Sequence, residues 1–365
     1  MKKRVVVAMS GGVDSSTAAC LLKKEGYEVI GVSLKLFSQE EDEEFTRYGF
    51  GCCGIQGIDD ARNVAQEIGI PFYALNYEKE FEDKVIDYFS REYENGRTPN
   101  PCIVCNEKIK FGSLLKKAKS LGAKYLATGH YARIEYDNLS KRHLLKKGKD
   151  KEKDQSYFLF SLSQEQLSHC FFPLGDYIKS EVRGLAKEFG LKVHNKPASQ
   201  EICFINTNYH EFLKIRISSN KSQIKSNGFQ PGPIVDTKGK VLGEHGGIAL
   251  YTVGQRKGIG AHKKPFYVIA ISKEKNTIIV GEEKELYRDV LIAENINWID
   301  REKLLKLIKV KAKIRYKYPE SEATIFPLIE GKIKIRFARP QRAITPGQAV
   351  VFYNDDTVIG GGWIC

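Results

Sequence analysis

Three cysteines in this chain of 365 residues have a type and spacing suited to chemistry: Cys102 and Cys105, in Pro101-Cys102-Ile103-Val104-Cys105, and Cys203, in Ser199-Gln200-Glu201-Ile202-Cys203-Phe204. A thiolate is a nucleophile and a metal ligand, and a second thiol nearby can free a bound sulfur by attacking sulfur. A Cys-x-x-Cys turn on its own fits half of a zinc site, a redox dithiol or part of an iron–sulfur site. A closed zinc site needs two more close-spaced ligands, and no second Cys-x-x-Cys or His-x-x-x-His follows. Pro99 and Pro101 restrict the backbone on the way into the turn. Cys52 and Cys53 are adjacent, cannot easily chelate one ion together, and read as loop or core thiols.

A second kind of chemistry is written in Ser10-Gly11-Gly12-Val13-Asp14-Ser15-Ser16. Glycines let a backbone approach an anion, N–H groups at a helix start point toward it, and serine hydroxyls add donors. The segment has neither the Gly-Lys-Ser/Thr of a Walker A loop nor the Gly-x-Gly-x-x-Gly of a dinucleotide fold. An ordinary Gly-Gly turn capped by Ser10 is the plain alternative. The run from Ser10 to Ser15 resembles the Ser-Gly-Gly-x-Asp-Ser loop of the PP-loop ATP pyrophosphatase superfamily. The resemblance implies a loop that holds the pyrophosphate of ATP while the α-phosphorus is attacked, with Asp14 positioning Mg2+. It implies adenylation of a carbonyl oxygen and leaves the target open.

The elements that must position these groups alternate in type. Val5 to Met9 reads as a buried strand, Ser15 to Glu25 as a helix, Val29 to Leu34 as a strand, and Ile58 to Ile68 as a helix ending at Gly69. Further strands are expected at Phe72 to Leu75 and Tyr125 to Thr128. Strands separated by helices mean an α/β fold with a parallel sheet and a ligand at the carboxyl ends of its strands. An acidic run, Glu40 to Glu44, and a basic stretch, Lys141 to Lys153, read as loops. After Asn206 the character changes: Pro231-Gly232-Pro233, Gly246-Gly247 and Gly258-Ile259-Gly260 punctuate short runs such as Phe266 to Ile271 and Thr277 to Val280. Lys309 to Arg315 and Lys332 to Phe337 alternate apolar and basic residues, as in a small barrel with a basic exterior. The expected organisation is an N-terminal PP-loop domain of the adenine nucleotide alpha hydrolase type over 1–205, a small β-rich central domain over 206–285, and a C-terminal β-barrel over 286–365.

The bulk numbers agree with two or three domains at one per roughly 150 residues. No run of about 18 apolar residues is present to span a bilayer, and Lys2 to Ala8 breaks at Ser10-Gly11-Gly12 before a secretory apolar region could form. The cytoplasm is the expected location. With 58 Lys and Arg against 45 Asp and Glu, the net charge of +13 suits a polyanionic partner if it gathers on one face, and a solvated basic surface if it does not. Eight cysteines spread over such a chain favour thiol, metal or redox chemistry over a disulfide scaffold.

Several motifs in order carry a closer resemblance: the Ser10 to Ser15 loop, Thr128-Gly129-His130-Tyr131-Ala132-Arg133, Lys153-Asp154-Gln155-Ser156-Tyr157-Phe158-Leu159, Ser199 to Phe204, Tyr251-Thr252-Val253-Gly254-Gln255-Arg256 and Pro346-Gly347-Gln348-Ala349-Val350. Over essentially its whole length the chain is similar to tRNA-specific 2-thiouridylases of the bacterial type. The resemblance implies an enzyme that uses ATP and Mg2+ to adenylate the C2 oxygen of the wobble uridine of tRNAs for Lys, Glu and Gln. A persulfide on Cys203 then delivers sulfur to C2, with Cys105 as nucleophile or resolving thiol, through a Cys105–Cys203 disulfide. Its partners would be tRNA and a persulfide-donating sulfur carrier or cysteine desulfurase, with no membrane. The match carries Ala8, Met9, Ser10, Gly11, Gly12, Val13, Asp14, Ser15, Leu34 and Gly129 to the ATP pocket, and Asn100, Pro101 and Cys102 to the wall that meets the extruded target base. It carries His130, Lys153, Asp154, Gln155, Arg315, Tyr316 and Gln348 to tRNA contacts.

One residue departs from the pattern, because many members carry Asp where this chain has Cys102. Three thiols, Cys102, Cys105 and Cys203, open an alternative in which a [4Fe-4S] cluster carries the sulfur. Two other readings stay in view. A PP-loop ligase that adenylates a carbonyl for amination needs no paired thiols, and a non-catalytic RNA-binding protein would use the basic barrel alone.

Overall fold

The computed structural model describes residues 3–37, 55–197, 202–205, 208–218, 226–260 and 264–365. Cys52, Cys53, the acidic run 40–44 and the motif residues 199–201 lie outside the described residues. The first sheet begins with β1 (Arg4–Ala8), whose Val5, Val6 and Val7 are fully buried. Helix α1 (Val13–Lys24) leads to β2 (Glu28–Lys35), and α2 (Ile55–Glu67) leads to β3 (Phe72–Asn76). The chain then returns to lay β4 (Tyr125–Ala127) against the other side of β1.

From β4 the chain runs into a hairpin of β5 (Ala132–Asp137) and β6 (Arg142–Lys147), and the sheet ends with β7 (Cys170–Phe171). The strand order is β3-β2-β1-β4-β7, parallel throughout. Direction of travel reverses between β1 and β4, so the crevice that binds ligands in such sheets opens at the carboxyl end of β1. The glycine loop sits there.

The basic stretch expected to be a loop is in part strand β6. Leu145 is fully buried, Lys146 on the opposite face pairs with Glu135 at 2.6 Å, and Lys147, on the face of Leu145 again, lies over the Tyr353 ring and pairs with Glu320 at 2.7 Å. The density of lysines hid an alternation that only a partner strand makes useful.

The central domain is a four-stranded sheet of β8 (Gly232–Asp236), β9 (Val241–His245), β10 (Tyr267–Ser272) and β11 (Thr277–Gly281) in the order β10-β11-β8-β9. Ile234, Ile248, Val268, Ile278 and Val280 form its core. After it come β12 (Tyr287–Trp298), β13 (Ile308–Lys313), β14 (Ser321–Pro327), β15 (Ile333–Arg342), β16 (Ala349–Asn354) and β17 (Thr357–Ile364). These six antiparallel strands close into a barrel through pairing of β12 with β17.

The alternation read from sequence holds: Val310 and Ala312 are buried between exposed Lys309 and Lys311, and Ile333, Ile335 and Phe337 point inward. A strand alternates faces with period two, so one face builds the core and the other carries charge. The barrel also accepts β6, with Thr357 opposite Lys146 and Val358 opposite Leu145. One core cluster runs from Phe81, Phe89 and Phe111 in the first domain to Tyr157, Val351 and Tyr353 at the barrel. Among the described residues no helix is long and apolar enough to cross a membrane.

Candidate active site

Gly12 caps α1 in an extended conformation and has no side chain to occupy the N–H groups of the first turn. Those donors are left for an anion. Ser15 Oγ closes the loop, accepting from the Ser10 N–H at 3.1 Å and donating to the Gly12 carbonyl at 3.2 Å. Gly11 has φ of +69°, and a Cβ there would lie 2.2 Å from the Gly57 carbonyl oxygen of α2. Gly129, just past β4, lies against the loop so closely that a Cβ would stand 2.7 Å from the Ser15 nitrogen. Ser16 Oγ is buried without a hydrogen-bond partner. Ala8, Ser10 and Gly12 are partly exposed, while Met9, Gly11, Val13 and Ser15 are buried. Leu34 lies within β2, 8 % exposed, opposite Leu75 in the main core.

Asp14 is the loop's carboxylate, and two residues that sequence reasoning gave no such role hold it. Lys179 Nζ lies 2.6 and 2.7 Å from its two oxygens, and the Tyr131 hydroxyl donates to Oδ1 at 2.7 Å. Burial and the Asp14 charge push the Tyr131 phenol far above its usual range, so it stays a donor. Lys179 opens helix α3 (Lys179–Glu188), with its backbone N–H on Asp150 at 2.8 Å. Tyr131 is fixed by Gln155, whose Oε1 accepts the Tyr131 N–H at 3.0 Å while its own N–H donates to the Tyr131 carbonyl at 2.9 Å. A third missed residue, Lys196, reaches the Gly11 carbonyl at 3.2 Å and pairs with Asp60 of α2. Tyr131 follows Gly129-His130 in a quoted motif, but no sequence signal marks Lys179 or Lys196 as neighbours of a loop so far away in the chain.

The thiol segment begins where Asn100 ends the extended approach and Pro101 starts the short helix Pro101–Val104. Proline suits this first helical position because its missing N–H would have no partner there. The helix continues without a break as a π-helix, Cys105–Leu114, a geometry enriched at functional sites. Pro101 and Cys105 are buried and Cys102 is exposed.

Barrel residue Gln348 anchors the approach, donating from Nε2 to the Thr98 and Pro99 carbonyls at 3.0 and 3.1 Å. Cys203, partly buried, packs with Ile202 and Ile205 against the core cluster that contains Cys105. Its neighbour Phe204 meets Phe81 and Phe89 edge-on at 5.7 and 5.3 Å. Among the described residues no three His, Cys, Asp or Glu side chains gather so as to hold a metal ion.

Gly129 and His130 bridge the two centres. His130 Nδ1 is 2.7 Å from the Thr128 hydroxyl, and its ring faces Phe111 of the π-helix at 6.0 Å and Phe172 at 5.9 Å. Burial, then the Lys110 charge, push its imidazole well below the usual range.

Of the residues carried to tRNA contacts, Lys153 is exposed, but Asp154 turns inward to accept from the N–H groups of Gly148 and Ser156 at 3.0 and 3.1 Å and from the Ser156 hydroxyl at 2.9 Å. Burial raises its carboxyl above the ordinary range. Arg315 is partly buried and donates to the Ala343 carbonyl and to the Thr345 hydroxyl at 2.8 Å. Tyr316 lies 4.4 Å from Phe158, whose carbonyl accepts from Asn106 Nδ2 beside Cys105.

Comparison with known proteins follows the same division of the chain. Residues 3–207 match a tRNA methyl transferase HUP domain, 222–282 a tRNA methyl transferase PRC-barrel domain, and 288–364 an aminomethyltransferase beta-barrel domain. The chain is 52 % identical to the tRNA-specific 2-thiouridylase MnmA of Acetivibrio thermocellus, with 100 % of this chain and 99 % of the relative covered. It is 52 % identical to the protein of the same name from Halothermothrix orenii over 99 % of this chain and 98 % of the relative. For the Clostridioides difficile protein the identity is 50 % over 100 % and 98 %.

Proposed function

The chain belongs to the family of tRNA-specific 2-thiouridylases, and from that premise we propose how its residues divide the reaction. The protein is an ATP-using tRNA sulfurtransferase that replaces the C2 oxygen of a tRNA uridine by sulfur. In our reading the target is the wobble uridine of the tRNAs for Lys, Glu and Gln, extruded against Asn100, Pro101 and Cys102.

The Ser10 to Ser15 loop, with Gly129 against it, binds the phosphates of ATP, and Asp14 holds the accompanying Mg2+. The uracil C2 oxygen attacks the α-phosphorus, the base gives up its N3 proton, pyrophosphate leaves, and the oxygen is now bonded to AMP. The outer sulfur of a Cys203 persulfide attacks C2 and AMP departs with the oxygen. Cys105 thiolate then attacks Cys203 Sγ. The sulfur–sulfur bond to the base breaks, its electron pair stays on the transferred sulfur, and a Cys105–Cys203 disulfide forms. A thiol reductant and a persulfide donor, a sulfur carrier or cysteine desulfurase, reset the pair. Lys153, Gln155, His130, Tyr316 and Gln348 border the tRNA path, and the cytoplasm is the setting.

The observation that carries this reading is the bridge Gly129–His130, which touches the phosphate loop on one side and the π-helix that starts at Cys105 on the other. An activated oxygen and a thiol are thus served by one stretch of backbone, as sulfur insertion requires and amination does not. The test is a thiolation assay on unmodified tRNA with ATP, Mg2+ and a cysteine desulfurase supplied with cysteine as the persulfide donor, run with and without reconstituted iron. ATP-dependent 2-thiouridine formed by iron-free protein supports the persulfide route, and strict dependence on iron overturns it.

A further inference from the structure

We propose that Gln155 is a positioning residue of the phosphate loop, acting through Tyr131 on the carboxylate of Asp14, and that its side-chain oxygen serves this task and not tRNA. The inference rests on the ATP reading of the Ser10 to Ser15 loop. Asp14 is that loop's only acidic residue, and one or two carboxylates beside substrate phosphates are the donor set in which Mg2+ is ordinarily held. Mg2+ demands near-ideal octahedral geometry, so the direction in which the Asp14 oxygens point decides how well the loop serves it. That direction is set from outside helix α1. The Tyr131 hydroxyl donates to Asp14 Oδ1 at 2.7 Å, and the residue is only 3 % exposed, packed in one cluster with Ala18 and Leu21 of α1 and Val182 of α3. A ring so enclosed cannot follow the carboxylate, and the carboxylate follows the ring.

The ring hangs from a peptide that Gln155 grips twice. Gln155 Oε1 accepts the Tyr131 N–H at 3.0 Å, and the Gln155 N–H donates to the Tyr131 carbonyl at 2.9 Å. One residue thus gives Tyr131 both partners that a neighbouring strand would supply, just before β5 begins at Ala132. Gly148 packs against the same carbonyl so closely that a Cβ there would stand 2.8 Å from its oxygen. Gln155 is itself held through its neighbour, because buried Asp154 accepts from the N–H groups of Gly148 and Ser156. The chain of contacts from Asp154 to Asp14 has no gap. The position of Gln155 beside exposed Lys153 suits the tRNA path, but its acceptor is already committed. Turning that oxygen to RNA would orphan the N–H of a buried residue, which folded proteins avoid.

The experiment is calorimetric titration of ATP into the full-length protein, once with Mg2+ and once with EDTA, for the wild type and for Gln155→Met, Gln155→Glu and Tyr131→Phe. The quantity read is the gain in ATP affinity that Mg2+ brings. Gln155→Met keeps the length of the side chain and loses the acceptor, and Tyr131→Phe loses one oxygen from a packed ring. Each should shrink the Mg2+ gain roughly tenfold. Gln155→Glu still offers an oxygen to the Tyr131 N–H and should restore most of the gain, although its added negative charge can only weaken a contact with RNA. Filter binding of unmodified tRNA to the same proteins completes the comparison. A direct RNA contact predicts the opposite order, with Gln155→Glu the more damaging variant for tRNA and the Mg2+ gain of both Gln155 variants equal to the wild type. That outcome overturns the proposal, as does a Gln155→Glu protein no better than Gln155→Met. Tyr131→Phe keeps the test open if Gln155→Met does not fold, and a wild-type Mg2+ gain in Tyr131→Phe also overturns it. A wild-type protein that binds no ATP with Mg2+ or without it instead overturns the ATP reading of the loop, and needs no substitution to be seen.

Discussion

Gln348 of the barrel reaches across to Pro99 of the first domain, its Nε2 lying 3.1 Å from the Pro99 carbonyl oxygen and 3.0 Å from that of Thr98. Two residues later comes Pro101, and the thiol helix begins. The barrel thus sets where the target-base segment starts, which gives this amide a positional part in the chemistry whether or not it also meets RNA.

Gln348→Ala should therefore cost about 1–2 kcal/mol of stability for two lost hydrogen bonds. It should also lower the thiolation kcat by about tenfold or more through misplacement of the segment. The KM for ATP, set at a distant loop, should not move. Single-turnover thiolation with varied ATP checks this, and a change confined to tRNA affinity would point to an RNA contact alone.

The two sulfur-handling thiols should separate from the adenylation step. Cys203→Ser and Cys105→Ser should each abolish 2-thiouridine formation while pyrophosphate release dependent on tRNA continues. Mass spectrometry of the tRNA, paired with a pyrophosphate assay, reads both halves. Retained thiolation in Cys203→Ser would sink the persulfide route.

Gly129→Ala is the smallest change that should damage the phosphate loop. The added methyl would stand 2.7 Å from the Ser15 nitrogen and 2.8 Å from the Asp14 carbonyl carbon, so backbone must shift. ATP affinity should fall by about tenfold or more, since the N–H donors lose their aim. Calorimetry with ATP measures it, with circular dichroism showing that the fold persists.

Stability should depend on pH through buried imidazoles. His130, His143, His210 and His245 are all held below the usual value of 6.5, each by burial first. The folded protein therefore binds fewer protons than the unfolded chain below that value. The stability these groups contribute is complete above pH 6.5 and is lost as pH falls toward their folded values. Each can add at most about 1.4 kcal/mol per pH unit, and the more exposed histidines add less. Urea denaturation between pH 8 and 5.5 should show the slope, and His130→Gln should flatten it.

Arg315 and Lys153 should behave differently, although both were read as tRNA contacts. The exposed Lys153 can meet a phosphate, so Lys153→Ala should leave the melting temperature unchanged and reduce the salt slope of tRNA binding by about one. Arg315 braces Ala343 and Thr345, so Arg315→Ala should lower the melting temperature through the loss of two hydrogen bonds, about 1–2 kcal/mol, the Ala343 carbonyl keeping the Thr345 hydroxyl as its donor. Filter binding across a salt series, with thermal melts, separates the two.

The strands and helices around the phosphate loop were legible because each signal there is local: Val5 to Val7 bury on both faces, and glycine follows at once. Barrel strands were legible for the same reason, since Lys309-Val310-Lys311 alternates by itself. Strand β6 was not, because Leu145 makes sense only opposite Val358, far away in the chain. The same limit applies within the site. Asp14 is marked by its motif, whereas Lys179 and Lys196 become neighbours of the loop only once α3 and the turn after it are packed. Asp154 shows the converse error, an acidic residue in a basic stretch that reads as surface and is buried on three donors.

Strand β17 pairs with β12, β16 and β6, so it belongs to the barrel and to a hairpin that the first domain sends out. A fragment of residues 1–205 would carry β6 without that cover, leaving Leu145 and a row of backbone donors and acceptors on an open edge. Such edges recruit any extended chain in reach and lead to aggregation. The ATP-binding half, attractive as an isolated piece for nucleotide studies, should for this reason be poorly soluble unless the β5–β6 hairpin is redesigned or supplied with the missing strand as a peptide.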